Sequence, residues 1–294
     1  MRALVTGHAG FVGRNIARRL LYDGWDVVGV DIRQGCLPEQ VLADCRDYFT
    51  VSGGYDLLVH CAAVIGSRQE RDDNPLAVYE DLSLDQAAIA WCLETGTALL
   101  YFSSSAAYST DLSGPFVEKN LTPDFICRPD AAYGFIKLVG ERQCRDLRAL
   151  GGKVYVVRPF SGYGADQSLD YPFPSILRRA MAGEDPLVVW SDVERDFIHI
   201  DDVVSACLTM MREDIPGPVN IGSGVPTKMT ELARLAAEAV GYDPEIRVLG
   251  KSAGPDHRYA DTTLMRTFYE PTISLVEGIE MCVKGGDHVL ELRV

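Results

Sequence analysis

Short runs of aliphatic and β-branched residues alternate with longer stretches of helical apolar spacing through the first half of the chain. Ala3–Val5, Asp26–Val30, Leu57–His60, Ala98–Phe102 and Val154–Val157 read as buried parallel strands, because their apolar runs leave no polar face for solvent. Arg14–Asp23, Leu76–Glu94 and Ala131–Leu150 repeat apolar residues at helical spacing, as helices with one buried face do. Parallel neighbours need a crossover of helical length, so this alternation predicts an α/β fold built on a doubly wound parallel sheet. After Arg158-Pro159 the rhythm changes. Pro172, Pro174, Pro186, Pro216 and Pro218 punctuate shorter elements, and one longer helix is expected at Lys228–Val240. A second, smaller domain is therefore expected over residues 166–294, after a first domain over 1–165. No internal repeat or low-complexity tract interrupts either part.

Composition narrows the possible ligands. The chain has 294 residues, 47% hydrophobic and 24% charged, the balance of a globular protein. Its net charge of −14 repels phosphate backbones and anionic lipid, so non-specific nucleic-acid or membrane binding is excluded. An anionic ligand must meet locally placed Arg or Lys. The eight cysteines include no C-x-x-C pair and several sit in apolar runs, which predicts reduced, buried thiols and no metal site. No apolar run approaches the roughly 18 residues of a membrane span, and a soluble, cytoplasmic protein is expected.

The first strand runs into "TGHAGFVG", with Gly7, Gly10 and Gly13 three apart. In a strand-turn-helix, the first glycine permits the tight turn and the second lets the backbone approach a pyrophosphate. The third allows close helix packing, with the phosphates at the helix N-terminus. Asp31 ends the second strand, where a carboxylate accepts hydrogen bonds from an adenosine ribose and repels a 2′-phosphate. NAD is therefore expected over NADP, although Arg33 is placed to serve a 2′-phosphate. Asp44 is a candidate for the adenine amino group or a solvated loop residue, and His8 reads as a spacer.

"AAYGFIK" places Tyr133 and Lys137 four apart on a helix that Asp130 is placed to cap. A free phenol is a poor base at neutral pH, but an ammonium within about 4–6 Å favours the phenolate by about 1–3 pH units. Tyr133 can then exchange a proton with a substrate hydroxyl while hydride moves between carbon and cofactor. "LLYFSSSAAYS" sets Ser103, Ser104 and Ser105 at the carboxyl end of a strand, the edge that faces the ligand crevice.

In this order the motifs resemble the extended short-chain dehydrogenase/reductases, specifically the NAD-dependent epimerase/dehydratase family acting on nucleotide sugars. "LVTGHAGFVGRNIARRLL", "HCAA", "FSSSAAYS" and "YGFIK" resemble its cofactor and catalytic segments; "RPFSGYG", "RDFIHIDDVV" and "NIGSG" resemble its sugar-nucleotide segments. The resemblance implies a Rossmann-type NAD domain, with residues 196–222 returning to it, and a smaller mixed substrate domain. It implies Tyr133 as base, Lys137 as its partner, and Ser104 as the third member, with Ser103 and Ser105 as the neighbouring alternatives. It further implies NAD contacts at Gly7, Gly10, Phe11, Val12, Gly13, Asp31, Ile32, Asp44, Cys45, Cys61, Ala62, Ala63, Tyr133, Lys137 and Pro159.

For the nucleotide-sugar substrate the resemblance implies Ser104, Ser105, Tyr133, Ser161, Arg195 and Arg258, the two arginines toward the diphosphate. For Arg195 a surface ion pair is the other reading. Ser161 stands where related sequences carry asparagine. Trp190 either reshapes the base or sugar pocket or packs. Tyr108, Phe160 and Tyr163 either line the site or fill the core, and the loop Gly66–Asn74 is expected to border the substrate. Dehydratases of the family carry an acidic pair after the serine, fucose-synthase-type epimerases a cysteine at position 106, and decarboxylases often a glutamate there. Ser105-Ala106 matches none of these, which points to C4 epimerisation with recycled NAD, or to a keto-sugar reductase. The helices at 76–94 and 131–150 resemble the pair that forms a four-helix homodimer interface.

Overall fold

The structure, a computed structural model, describes residues 1–50, 53–64, 74, 76–121, 131–250 and 255–285. Its strands begin with β1 (Arg2–Thr6), β2 (Asp26–Asp31), β3 (Glu39–Leu42), β4 (Leu57–His60), β5 (Ala98–Phe102) and β6 (Val154–Pro159). They continue with β7 (Ser161–Tyr163), β8 (Leu187–Val189), β9 (Glu194–His199), β10 (Val219–Ile221), β11 (Pro226–Lys228), β12 (Ile246–Val248) and β13 (His257–Arg258). The helices are α1 (Phe11–Tyr22), α2 (Cys45–Tyr48), α3 (Glu80–Thr95), α4 (Ala131–Ala149), α5 (Pro172–Met181), α6 (Ile200–Arg212), α7 (Met229–Val240) and α8 (Leu275–Val283).

The chain divides into two compact units, one formed by Met1–Ser109, Leu121–Arg158 and Cys207–Val219, the other by Thr110–Asn120, Pro159–Ala206 and Asn220–Val294. In these units the first runs to Arg158, and Cys207–Val219 belongs to it as well. Proline lacks the N–H that a further ladder bond requires, which fits a strand ending at Pro159.

A seven-stranded sheet runs in the order β10-β6-β5-β4-β1-β2-β3, and its pairings from β3 through β6 are parallel. This is a Rossmann-type sheet. Leu4, Val5, Leu58, Val59, Leu99 and Leu100 are fully buried, as the unbroken apolar runs of β1, β4 and β5 require. Strand β3 escaped the sequence reading because it is an edge strand whose four residues are all exposed or half-buried. Strand order reverses between β1 and β4, and at such a switch point the carboxyl ends of the strands open a ligand crevice.

Helices α3 and α4 pack against each other. The core beside them holds Leu84, Trp91, Leu99, Tyr101, Cys144 and Leu147. Burial pushes the Cys45 and Cys92 thiols up to about 12, which leaves them protonated and unreactive. Among the described residues no helix is long and apolar enough to cross a membrane.

In the second unit β9 is the central strand, paired parallel with β7 and β13 and antiparallel with β11. Its core gathers Tyr163, Phe173, Ile176, Leu177, Phe197, Leu232 and Ala236. Tyr163 stacks on Phe173 with ring centroids 4.1 Å apart and is fully buried, so it packs. Phe160 and Tyr108 are buried as well.

Candidate functional site

The segment after β1 turns at Gly7, whose φ of +69° is open to glycine and strained for other residues. The turn is held by Gly7 N–H donating to Val30 O at 2.8 Å and Gly10 N–H donating to Gly7 O at 3.0 Å. A Cβ on Gly7 would lie 2.6 Å from the backbone of Cys61 and Ala62, so the turn presses directly on the end of β4. On Gly13 it would lie 2.2 Å from Gly7 O, and this contact seats α1 against the turn. Gly10 is less confined: a Cβ there would meet Gly7 O at 3.2 Å, a tight contact, and Arg33 Nη2 at 3.9 Å. Gly10 is also the N-cap of α1 and supplies no side chain to its amides. A helix N-terminus with no side-chain cap behind a glycine fits a pyrophosphate. Gly13→Ala is expected to lower the free energy of unfolding by about 1–3 kcal/mol in urea titration, because the added methyl meets backbone, and Gly10→Ala by less.

Asp31 is 7% exposed and accepts from Ala9 N–H at 3.0 Å and Arg33 N–H at 2.9 Å, which fixes its carboxylate beside the turn. The exposed Arg33 side chain leans on it, Nε 3.8 Å from Oδ1. Asp44 caps α2, and its oxygens accept from Arg46 N–H, Nε and Nη2 at 2.8, 3.0 and 2.7 Å. The Arg46 side chain, followed by burial acting in the opposite sense, holds the Asp44 carboxyl below its usual range. Cys61, Ala62 and Ala63 follow β4, and Pro159 ends β6, all at the carboxyl edge of the sheet.

His8 is no spacer. It is 1% exposed, and a Cβ on Gly29 or Gly35 would lie within 2.5 Å of its ring, so the imidazole fills a slot that these two glycines leave open. Burial lowers its pKa, opposed by Asp31. The sequence signal was a glycine in the middle of a buried strand.

At the next two carboxyl edges the serine run resolves into distinct environments. Ser103 is buried and donates to Glu141 Oε1 at 2.5 Å, and Ser105 is buried in the turn. Ser104 is half-buried, and its Oγ accepts from Ala106 N–H at 3.0 Å while its own hydroxyl hydrogen stays available. Tyr133 is half-buried near the start of α4, and Lys137 one turn later is 4% exposed, its Nζ 5.9 Å from the Tyr133 ring centroid.

Beneath this pair lies a set of buried polar groups. Lys137 Nζ is 5.2 Å from the Tyr101 ring centroid, and Tyr101 donates to Asp85 Oδ2 at 2.6 Å. Asp85 Oδ1 is 3.3 Å from His60 Nε2, and His60 Nδ1 is 2.8 Å from Thr6 Oγ1. Asp81 Oδ1 accepts from Val64 N–H at 2.5 Å. Burial pulls Lys137 down, but Asp85, then Tyr133 and Asp81, pull it up by more, and it lies above the ordinary lysine value. Burial acts to raise Asp85, yet Lys137, His60 and Tyr101 outweigh it and hold the carboxyl low. Burial raises Asp81 above the usual range. The sequence reading missed both aspartates. Their signal was positional: they share the buried stripe of α3 with Leu84, Ala88, Trp91 and Cys92.

In the second unit Arg195 and Arg258 are register partners on the parallel pair β9–β13, so they project from the same face. Arg195 Nη1 donates to the carbonyls of Glu194 and Pro255 at 2.7 and 3.1 Å. Beside it Asp196 is fully buried and accepts from Ser223 N–H and Oγ at 2.7 Å and from Gly224 and Ala260 N–H at 3.0 Å, which anchors the "NIGSG" turn to β9. Ser161 is half-buried at the start of β7. Trp190 is 74% exposed and therefore does not pack. Asp130 and the loop Gly66–Asn74, apart from Asn74, lie outside the described residues. Among the described residues no cluster of three or more His, Cys, Asp or Glu is arranged to hold a metal.

The pattern describing the NAD dependent epimerase/dehydratase family matches residues 3–222. An uncharacterized UDP-glucose epimerase of Bacillus subtilis is 26% identical over 95% of this chain and 96% of its own length. A dTDP-4-dehydro-6-deoxy-D-allose reductase of Streptomyces bikiniensis is 28% identical over 89% of this chain and 88% of its own. The solved UDP-glucose 4-epimerase of Thermus thermophilus in complex with NAD superimposes with a TM-score of 0.84 at 22% identity, covering 97% of this chain and 98% of its own.

Proposed function

The chain belongs to the NAD dependent epimerase/dehydratase family, and from that premise we propose that it epimerises a nucleoside-diphosphate hexose at C4 with a recycled NAD. One observation carries the reading: half-buried Tyr133 stands one turn from buried Lys137, and the half-buried Ser104 is followed by Ser105 and Ala106 instead of a carboxylate. Tyr133 takes the proton of the sugar hydroxyl. Lys137 places an ammonium beside the phenolate that results, and Ser104 donates a hydrogen bond to the oxygen as it becomes a carbonyl. A nicotinamide bound beside these residues would supply a hydride acceptor, and then donor, at the same carbon. After the keto-sugar turns its other face, Tyr133 returns the proton and no redox equivalent is consumed. Dehydration would need an acid to protonate a departing hydroxyl, and positions 105 and 106 supply none.

The residues that would hold NAD are the Gly7–Gly13 turn with Phe11 and Val12, Asp31 and Ile32 at the ribose, Asp44 and Cys45, Cys61 to Ala63, and Pro159, Tyr133 and Lys137. The buried Asp31 carboxylate supports NAD over NADP. Arg195 and Arg258, on one face of adjacent strands, suit a diphosphate, a guanidinium pair being matched to phosphate oxygens. Ser161 joins them as a substrate contact. Exposed Tyr79, Leu93 and Phe135 support a homodimer through α3 and α4.

The Streptomyces reductase keeps a second reading in play, since reduction of a keto-sugar uses the same proton donor and the same hydride transfer. Purified protein should release NAD on denaturation. Offered UDP-, TDP-, GDP- and CDP-hexoses, it should invert C4 of one of them by NMR with no net change in the NADH absorbance band. Stoichiometric consumption of added NADH with a keto-sugar would move the assignment to the reductase. No conversion with either substrate set would overturn both readings.

A further inference from the structure

We propose that Asp85, fastened by Tyr101 and lying beside His60, is the counter-ion that keeps Lys137 charged beneath Tyr133, acting as a positioning residue for the proposed chemistry. The proposal rests on reading Tyr133 and Lys137 as the working pair, and its test is independent of turnover. An ammonium at 4% exposure is costly unless a charge compensates it. Asp85, at 1% exposure, shares Tyr101 with it, the ring lying 5.2 Å from Lys137 Nζ and the hydroxyl 2.6 Å from Asp85 Oδ2, and the other buried carboxylate of α3 is Asp81, at 0%.

They are not equivalent. Asp81 Oδ1 accepts from Val64 N–H, and its Oδ2 is buried with no hydrogen-bond partner among the described residues. Asp85 Oδ2 accepts from the Tyr101 hydroxyl at 2.6 Å, and its Oδ1 lies 3.3 Å from His60 Nε2 without a hydrogen bond between them, while His60 Nδ1 is 2.8 Å from Thr6 Oγ1. Lys137, with His60 and the Tyr101 hydroxyl, favours the ionised form of Asp85 against its burial, whereas burial favours the neutral form of Asp81.

The helix that carries Lys137 is shaped around this arrangement. A Cβ on Gly140, one turn beyond Lys137, would fall 1.8 Å from Tyr101 Oη and 2.9 Å from Asp85 Oδ2. Only glycine leaves room there for the hydrogen bond that orients Asp85. The titratable groups around Lys137 are His60 on β4 and Cys61 just beyond it, Asp81 and Asp85 from α3, Tyr101 from β5 and Tyr133 from α4. Glu141, also on α4, is committed to Arg158 at 2.6 Å and is not available as the counter-ion.

The chain has six lysines, so full-length protein labelled with ¹³C and ¹⁵N in lysine gives a spectrum simple enough to titrate, with Lys137 assigned through Lys137→Arg. Lys137 should deprotonate at higher pH than the exposed Lys284. Asp85→Asn preserves the acceptor for Tyr101 and removes the charge; it should lower the Lys137 midpoint by about one pH unit or more. His60→Gln should lower it by less. An unchanged midpoint in Asp85→Asn, even with reduced stability, overturns the proposal. Should Asp85→Asn fail to fold, the wild-type curve decides, because a Lys137 midpoint below that of Lys284 overturns the proposal equally. The titration requires neither sugar nor cofactor, so failure to find a substrate leaves its outcome intact.

Discussion

Tyr133→Phe is expected to lower turnover by about 10²–10⁴-fold, the usual contribution of a positioned acid–base group, while leaving NAD affinity nearly unchanged. The substitution removes one oxygen and keeps the ring, so the packing of α4 is preserved. What disappears is the group that accepts and returns the substrate proton. Ser104→Ala should have a smaller effect, near 10²-fold, because it removes a hydrogen-bond donor to the reacting oxygen and leaves the base in place. Lys137→Met should do more than slow the reaction. It strips the compensating charge from Asp85, which is 1% exposed, and should cost about 3–5 kcal/mol of stability as well. The three variants therefore separate by two measurements, turnover with the identified nucleotide sugar and NAD binding by calorimetry. Turnover of Tyr133→Phe within tenfold of wild type would remove the phenol from the mechanism. Loss of NAD binding in the same variant would instead reassign Tyr133 to holding cofactor.

The parts of the site that could be read from the sequence are those in which backbone geometry dictates the residue. Gly7 and Gly13 are fixed by a positive φ and by contact with backbone atoms, and the apolar runs of β1, β4 and β5 by burial on both faces. Edge strand β3 stayed hidden because a strand with one neighbour carries no such run. The serine register is open among Ser103, Ser104 and Ser105 in the sequence, because only the fold turns Ser103 inward onto Glu141. His8, His60, Asp81 and Asp85 were missed for a different reason. Each is polar, each is buried, and each is explained by a partner distant in sequence: Gly29 and Gly35 for His8, Thr6 for His60, Val64 for Asp81 and Tyr101 for Asp85. Periodicity marks a buried position but not the partner that makes a polar residue tolerable there.

Glu141→Ala is expected to be the most destabilising single change in the first unit, by about 3–5 kcal/mol out of the roughly 5–15 that hold a typical domain. Arg158 is fully buried and Glu141 is 3% exposed, and they meet through two bonds, Nε to Oε1 at 2.8 Å and Nη2 to Oε2 at 2.6 Å. Two further donors of Arg158 reach Tyr108 Oη at 3.0 Å and Leu121 O at 3.1 Å. Truncating Glu141 takes from the buried Arg158 guanidinium the carboxylate that grips it through two bonds, and from Ser103 its acceptor. Glu141→Gln keeps the shape and one acceptor and should fall between wild type and alanine. Replacing both partners, as in Glu141→Met with Arg158→Met, removes both buried charges together and should recover much of the loss. Equilibrium urea unfolding of the two singles and the double gives the coupling directly. The network also has a functional reach, because Glu141 follows Lys137 by one helical turn and Ser103 precedes Ser104, so it joins the serine edge of β5 to α4. Glu141→Gln should accordingly reduce turnover more than NAD affinity. A Glu141→Ala protein that unfolds within about 1 kcal/mol of wild type would show that water or a rotated Arg158 neutralises the site without the carboxylate.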